Sequence, residues 1–179
     1  TDFLNSNVDS YNDRIYIVAS DPNTGEILGM TGKQRSTSNE IVDDALGVIN
    51  SSYGMGSAVK GAMVLTGYMS GVISADNNVL VDEPLQFQGS NPKKSVFNPT
   101  IGNQVAINDI EALARSSNVY MIKLAMLMGG QSTYESGGTL NISPDLIDEL
   151  RSYFAQVGLG VKTGIELPNE GSGLTGFSQ

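Results

Sequence analysis

Residues 57–69, SAVKGAMVLTGYM, constrain this chain more than any other stretch. Ala58, Val59, Ala62, Met63, Val64, Leu65, Tyr68 and Met69 recur at spacings that cover nearly every face of a helix. A helix that is apolar all round must be surrounded by other elements, so this one is expected at the centre of a domain. Ser57 follows Gly56 at its start, and Gly71 is placed to end it as a left-handed cap. Lys60 breaks the pattern by placing an ammonium in an otherwise apolar helix. Burying that charge is costly unless polar groups surround it or the amine loses its proton.

The 179 residues match the size of one domain and suffice for a core. Residues 1–13 are polar and Asn-rich and read as a loose lead-in to a single domain over 14–179. Residues 15–20 and 27–30 carry strand composition on either side of Asp21-Pro22-Asn23-Thr24-Gly25, a strong turn, so a hairpin is expected there. Residues 33–44 read as a surface loop. Residues 76–108 read as mostly irregular, with short strand-like pieces at 79–81 and 85–88, and such a stretch is often the rim of a site. Asn108 or Asp109 caps a helix running to about Arg115, and Ser116-Ser117-Asn118 separates it from a second helix ending near Met128. Ser143-Pro144 opens a last helix with Leu146, Ile147, Leu150 and Phe154 as its buried stripe and Gly158 at its end. A hairpin followed by helices gives an α+β class.

Several functions are excluded by composition. A net charge of −9 with only 10 Lys and Arg argues against nucleic-acid binding through phosphates and against a basic membrane-surface patch. The absence of Cys removes thiol chemistry, disulfides and thiolate metal sites. The absence of His removes Ser-His-Asp chemistry and the commonest metal ligand, so no metal or cofactor is expected. A serine nucleophile in this chain needs a base other than imidazole. Gly54-Met55-Gly56 lacks the following G-K-[ST] of a phosphate-binding loop. No run of 18 apolar residues spans a membrane, and the start at Thr1 without Met fits a piece of a longer protein.

Ser57 and Lys60, at i and i+3, share one face of a helix, so the Lys60 amine can reach the Ser57 hydroxyl. Desolvation lowers a lysine pKa and makes it a base. A serine in a first helical turn also offers a backbone N–H to a developing oxyanion. Ser-x-x-Lys alone arises readily by chance, and Ser116-Ser117-Asn118 alone is a simple helix break.

Together, in this order, they resemble the penicillin-binding and β-lactamase signature of S-x-x-K followed by S-x-N. The contexts agree. YGMGSAVKGAMVLTGY, ARSSNVYMIKLAMLMG, YIVASDPNTGEILGM and YFAQVGLGVKTGIELPNE are similar to successive landmarks of class B penicillin-binding proteins, and LVDEPLQFQGS resembles their Gram-positive 2A and 2B type. The resemblance implies a partial transpeptidase or β-lactamase-like fold, mainly its helical part plus the N-terminal hairpin. It implies a peptidoglycan D,D-transpeptidase acting on D-Ala-D-Ala stem peptides or β-lactams. Ser57 would be nucleophile, Lys60 base, Ser116 proton relay and Asn118 a ligand of the substrate amide. It also implies an extracytoplasmic location behind an N-terminal transmembrane anchor, and partners in the elongation or division machinery. A serine β-lactamase and a non-catalytic β-lactam-sensing module are the alternatives. The hairpin and LPNE matches and the lack of an evident deacylating Glu argue against the first.

Lys162-Thr163-Gly164 spells the family's third motif, K-T-G, but continues as Ile165-Glu166-Leu167-Pro168, a different landmark. The catalytic K-T-G strand is therefore expected beyond Gln179. Without its oxyanion donor and cation, the isolated chain is expected to be inactive, and its hairpin edge to favour self-association. Incubation of the isolated chain with a fluorescent penicillin is expected to label Ser57 slowly at most; rapid stoichiometric labelling would contradict this.

Overall fold

The computed structural model describes residues 2–6 and 13–174, which form two compact units, Thr1–Tyr53 with Val161–Gln179, and Gly54–Gly160. In the first unit, β1 (Arg14–Ser20) and β2 (Ile27–Arg35) pair antiparallel, and β3 (Ile41–Asp43) adds to β2, giving the order β1-β2-β3. The Asp21 carboxylate makes the first turn by accepting the Asn23 N–H at 2.7 Å, and Gly25 takes φ +75°. The hairpin thus lies where the sequence places it, but it is longer.

The surface-loop reading of 33–44 does not hold. Lys33, Gln34 and Arg35 pair with Asp43, Val42 and Ile41 around a turn in which Asn39 takes φ +67°. In the end of β2 and in β3 only Gly32, which has no side chain, is buried, so no alternation of polar and apolar residues marks these strands. The lead-in reading also changes: Asp2–Ser6 is one helical turn, α1, with Leu4 buried and its carbonyl accepting from Arg35. Residues 7–12 lie outside the described residues. The Tyr16 hydroxyl donates to Asp44 at 2.5 Å, and a Cβ on Gly32 or on Gly47, the first residue of α2 (Gly47–Asn50), would collide with the Tyr16 ring. The Gly171 N–H returns the later segment to α2 by donating to the Ile49 carbonyl at 2.8 Å.

The second unit is helical around a small ribbon. A 3-10 turn (Gly56–Val59) runs into α3 (Lys60–Met69), followed by β4 (Leu80–Asp82), β5 (Val105–Ile107), α4 (Asp109–Ala114), α5 (Asn118–Met128) and α6 (Leu146–Gln156). β4 and β5 pair antiparallel. β5 is absent from the sequence reading, and Leu85 makes a single bridge with Lys93 rather than opening a strand over 85–88. Both strands are three residues long, too short for a period of two to register.

The core joins Met63, Val64, Ile73, Ile107, Ala112, Tyr120 and Leu124, with Leu150 and Phe154 of α6 packed against it. Gly67 of α3 lets the backbone approach α5: a Cβ there would stand 3.1 Å from Leu124 and Ile73. A second cluster joins Leu85, Phe87, Val119 and Met126. α3 is less enclosed than its composition implies, since Leu65 is 45% and Met69 38% exposed. Ile147 is 54% exposed, so the buried stripe of α6 is Leu146, Leu150 and Phe154. No helix of the described residues is long and apolar enough to cross a membrane.

These packing differences set stability. Leu124→Ala, at a fully buried site between α3 and α5, is expected to cost about 2–5 kcal/mol. Asn108→Ala removes the capping box that Asn108 forms with Glu111 and is expected to cost about 1 kcal/mol. Urea unfolding followed by circular dichroism measures both.

Candidate active site

Gly56 takes φ +55°, a conformation that favours glycine, and turns the chain into the 3-10 helix that carries Ser57. Ser57 therefore precedes α3 on a tighter turn, and Lys60 opens α3 itself. The expected i and i+3 contact forms: the Lys60 Nζ donates to Ser57 Oγ at 3.1 Å. Ser57 is exposed and Lys60 is 8% exposed, so an accessible hydroxyl rests on a buried amine.

Ser116 completes the amine's surroundings. Lys60 Nζ donates to the Ser116 carbonyl at 2.7 Å and to Ser116 Oγ at 2.9 Å, and Ser116 Oγ donates to Ser57 Oγ at 3.0 Å. The three hydrogens of an ammonium are thus matched by three neutral acceptors. No carboxylate among the described residues forms an ion pair with Lys60. Burial pushes the Lys60 pKa down, toward the neutral amine.

The end of α4 explains how Ser116 reaches Lys60. The Ser117 N–H donates to the Ala112 carbonyl at 2.8 Å and the Ser116 N–H to Leu113 at 3.1 Å, a Schellman ending with Ser116 in the position glycine usually takes. Ser116 has φ +53°. A side chain in the left-handed region costs about 1–3 kcal/mol and persists where the surroundings hold it. Here both its carbonyl and its hydroxyl are held by Lys60.

Ser117 caps α5 by accepting the Tyr120 N–H at 2.9 Å. Asn118 is the first residue of α5; its Nδ2 donates to the Lys94 carbonyl at 3.2 Å, and its Oδ1 takes no hydrogen bond within the described residues. Of the four residues singled out from sequence, Ser57, Lys60 and Ser116 are joined by hydrogen bonds, and Asn118, two residues from Ser116, bonds instead to Ser95 and Lys94.

Sequence reasoning missed the buried polar layer behind this junction. Asp82 at the end of β4 accepts from Ser95, Ser117 and Asn98, all buried. The available signal was a carboxylate inside the apolar run VLVDEPLQF.

Lys162-Thr163-Gly164 lies in the other compact unit and outside any strand. The donors of its last two residues are engaged: Thr163 N–H and Oγ1 reach Glu170 at 2.6 and 2.5 Å, and the Gly164 N–H reaches it at 3.2 Å. The Thr163 hydroxyl bond holds the Glu170 carboxyl below its ordinary range. Among the described residues no group of acidic side chains is arranged to hold a metal ion.

A solvent-accessible hydroxyl that touches a second hydroxyl and a buried amine, with the amine's pKa pushed down by burial, is an arrangement in which the amine can accept the hydroxyl's proton. The family model for the penicillin binding protein transpeptidase domain matches residues 15–178. Penicillin-binding protein 2A of Bacillus subtilis is 46% identical over 172 residues, covering 93% of this chain and 23% of that protein. Penicillin-binding protein 2B of Streptococcus pneumoniae strain D39 is 38% identical over 168 residues, covering 92% and 24%. The solved structure of penicillin-binding protein 2B from Streptococcus pneumoniae strain 5204 superposes with a TM-score of 0.87 at 35% identity, covering 97% of this chain and 29% of that one. The chain therefore spans about a quarter of the length of the curated relatives it matches. On the motif geometry and these likenesses together, the chain belongs to the penicillin-binding protein transpeptidase domain family, and within it to the class B type resembling the Gram-positive 2A and 2B proteins.

Proposed function

We propose that this chain supplies the nucleophile, base and relay of a peptidoglycan D,D-transpeptidase site. The observation that carries the proposal is the closed triangle of Ser57 Oγ, Lys60 Nζ and Ser116 Oγ, with sides of 3.1, 2.9 and 3.0 Å. The substrate class is the D-Ala-D-Ala end of a stem peptide, and β-lactams enter as its mimics. Ser57 Oγ attacks the penultimate D-Ala carbonyl while neutral Lys60 takes its proton. The Ser57–acyl bond forms, the peptide bond to the terminal D-Ala breaks, and the proton passes through Ser116 Oγ to the leaving amine. An amine of a neighbouring stem then attacks the ester, gives up a proton, and Ser57 Oγ recovers its own.

The Ser116 carbonyl can only accept, so it holds one Lys60 N–H through the cycle. The remaining positions on nitrogen face the two hydroxyls, where the lone pair of the neutral amine accepts. The free Asn118 Oδ1 suits a substrate amide N–H. The backbone N–H of Ser57 lies in the first turn of a helical segment and suits the oxyanion. The same reading places the site on the extracytoplasmic face of a membrane-anchored protein, working with elongation or division proteins, and leaves the apolar hairpin residues Ile17 and Leu28, 56% and 66% exposed, as a surface for self-association.

The pH dependence follows from the direction of the Lys60 shift. Only the neutral amine accepts the Ser57 proton, so acylation of the full-length protein by a fluorescent penicillin is expected to rise with pH and level off below the pKa of an ordinary lysine. Ser57→Ala is expected to abolish labelling; labelling that persists in this variant would refute the proposal.

Ser116 separates function from stability. Ser116→Gly keeps the left-handed backbone and removes the relay hydroxyl. Acylation is expected to slow by about a hundredfold, with a thermal midpoint unchanged or raised. Stopped-flow labelling and calorimetry on the same preparation measure the two effects.

A further inference from the structure

The buried polar layer behind Ser116 and Asn118 has an organisation of its own. Asp82 Oδ2 accepts the Ser95 hydroxyl at 2.6 Å and the Ser117 hydroxyl at 2.5 Å, and Asp82 Oδ1 accepts the Asn98 amide at 3.0 Å. Asp82, Ser95, Ser117 and Asn98 are each no more than 1% exposed, so water does not compete for these bonds. Both hydroxyl protons are committed to one carboxylate oxygen. The hydroxyl oxygens are then left to accept. Ser95 Oγ takes the N–H groups of Asn118 and Val119 at 3.0 and 3.2 Å, and Ser117 Oγ takes that of Tyr120 at 2.9 Å. The three backbone donors at the start of α5, which no helix can satisfy internally, therefore discharge through two hydroxyls onto Asp82.

This wiring pins both halves of the Ser116-Ser117-Asn118 turn. Ser117 is held from the side of β4, and Ser116 just before it takes the left-handed conformation. The backbone of Asn118 is held by Ser95, and its side chain by the neighbouring Lys94 carbonyl. A helix start satisfied by its own serine alone needs only Ser117 Oγ on one N–H. The additional buried carboxylate, with Ser95 and Asn98 gathered around it, exceeds what capping requires. Removing a buried polar partner leaves its neighbours unsatisfied, so the Asp82 carboxylate fixes the geometry of every group that donates to it.

We propose that Asp82 is a positioning residue of the site: by orienting the Ser95 and Ser117 hydroxyls, it sets the backbone that presents Ser116 to Lys60 and Ser57 and Asn118 to the substrate. The inference rests on the reading of Ser57, Lys60 and Ser116 as the acylating machinery. Asp82 touches none of the reacting atoms. It acts through the order it imposes on the turn.

The test uses the full-length protein with Asp82→Asn, Ser95→Ala, the double variant, and Ser57→Ala as control. Stopped-flow labelling with a fluorescent penicillin separates the labelled fraction, the acylation rate constant at saturation and the half-saturating concentration. In Asp82→Asn an amide nitrogen or a neutral oxygen replaces the shared acceptor. The labelled fraction is expected to stay near that of the parent while the saturating rate constant falls about tenfold to a hundredfold. The double variant is expected to be no slower than Asp82→Asn alone, because both changes cut one network. A parent rate constant in Asp82→Asn, with only the labelled fraction reduced, would show a purely structural role and overturn the inference, as would rate losses that simply multiply in the double variant. If Asp82→Asn does not fold, Ser95→Ala decides: a slowed rate at full labelled fraction supports the role, and a parent rate overturns it. Labelling that persists in Ser57→Ala overturns the site itself, whatever Asp82 does.

Discussion

The site depends on one buried nitrogen. Lys60 lies at the start of a helix whose neighbours are mostly apolar, and its three hydrogen-bond partners are a serine hydroxyl, a second serine hydroxyl and a carbonyl. An ion pair would stabilise the charged form and hold the proton on the amine. Neutral acceptors solvate the nitrogen without doing so, and burial then lowers its pKa. The same three bonds tie the start of α3 to the turn between α4 and α5. A feature that looks like a packing fault in an apolar helix thus both lowers the pKa of the amine and draws Ser116 to Ser57.

The turn that meets Lys60 is held at some energetic cost. Ser116 occupies the place of a Schellman glycine with φ +53°. Glycine would fit that backbone more easily but would bring no hydroxyl. The structure carries the strain because Ser116 is gripped on one side by Lys60, and Ser117 on the other by Asp82. Apolar packing surrounds this polar seam: Val119, Tyr120 and Leu124 of α5 are fully enclosed in the two hydrophobic clusters. Rigidity of that kind suits chemistry in which three atoms must keep contact distances while a proton moves among them.

The smaller unit has a different economy. Its sheet has β1 at one edge and exposes Ile17, Val18, Ile27 and Leu28. Its order comes from hydrogen bonds and close approaches, such as Tyr16 over Gly32 and Gly47 with its hydroxyl on Asp44. The K-T-G tripeptide in this unit is irregular backbone closed onto Glu170, with Thr163 and Gly164 donating to one carboxylate. The matching letters here lie outside any strand, with the Thr163 and Gly164 donors turned to Glu170.

By itself, the sequence determined the elements with a local cause. The Asp21 to Gly25 turn, the Asn108 cap, the break at Ser116-Ser117-Asn118 and the Gly71 ending are each written in neighbouring residues, and each is found. The Ser57 and Lys60 contact was legible for the same reason, since helical spacing alone brings i and i+3 together. Tertiary structure decided the rest. β3 and β5 are three residues long, and β5 exists only through its pairing with β4 more than twenty residues earlier. Ile147 faces outward because α6 packs through Leu146, Leu150 and Phe154. The meeting of Lys60 with Ser116, 56 residues away, and the gathering of Ser95, Asn98 and Ser117 on Asp82 depend on how α3, β4 and α5 pack. No local propensity specifies a contact between residues so far apart in the chain, because its free energy is gained only once the core between them has formed.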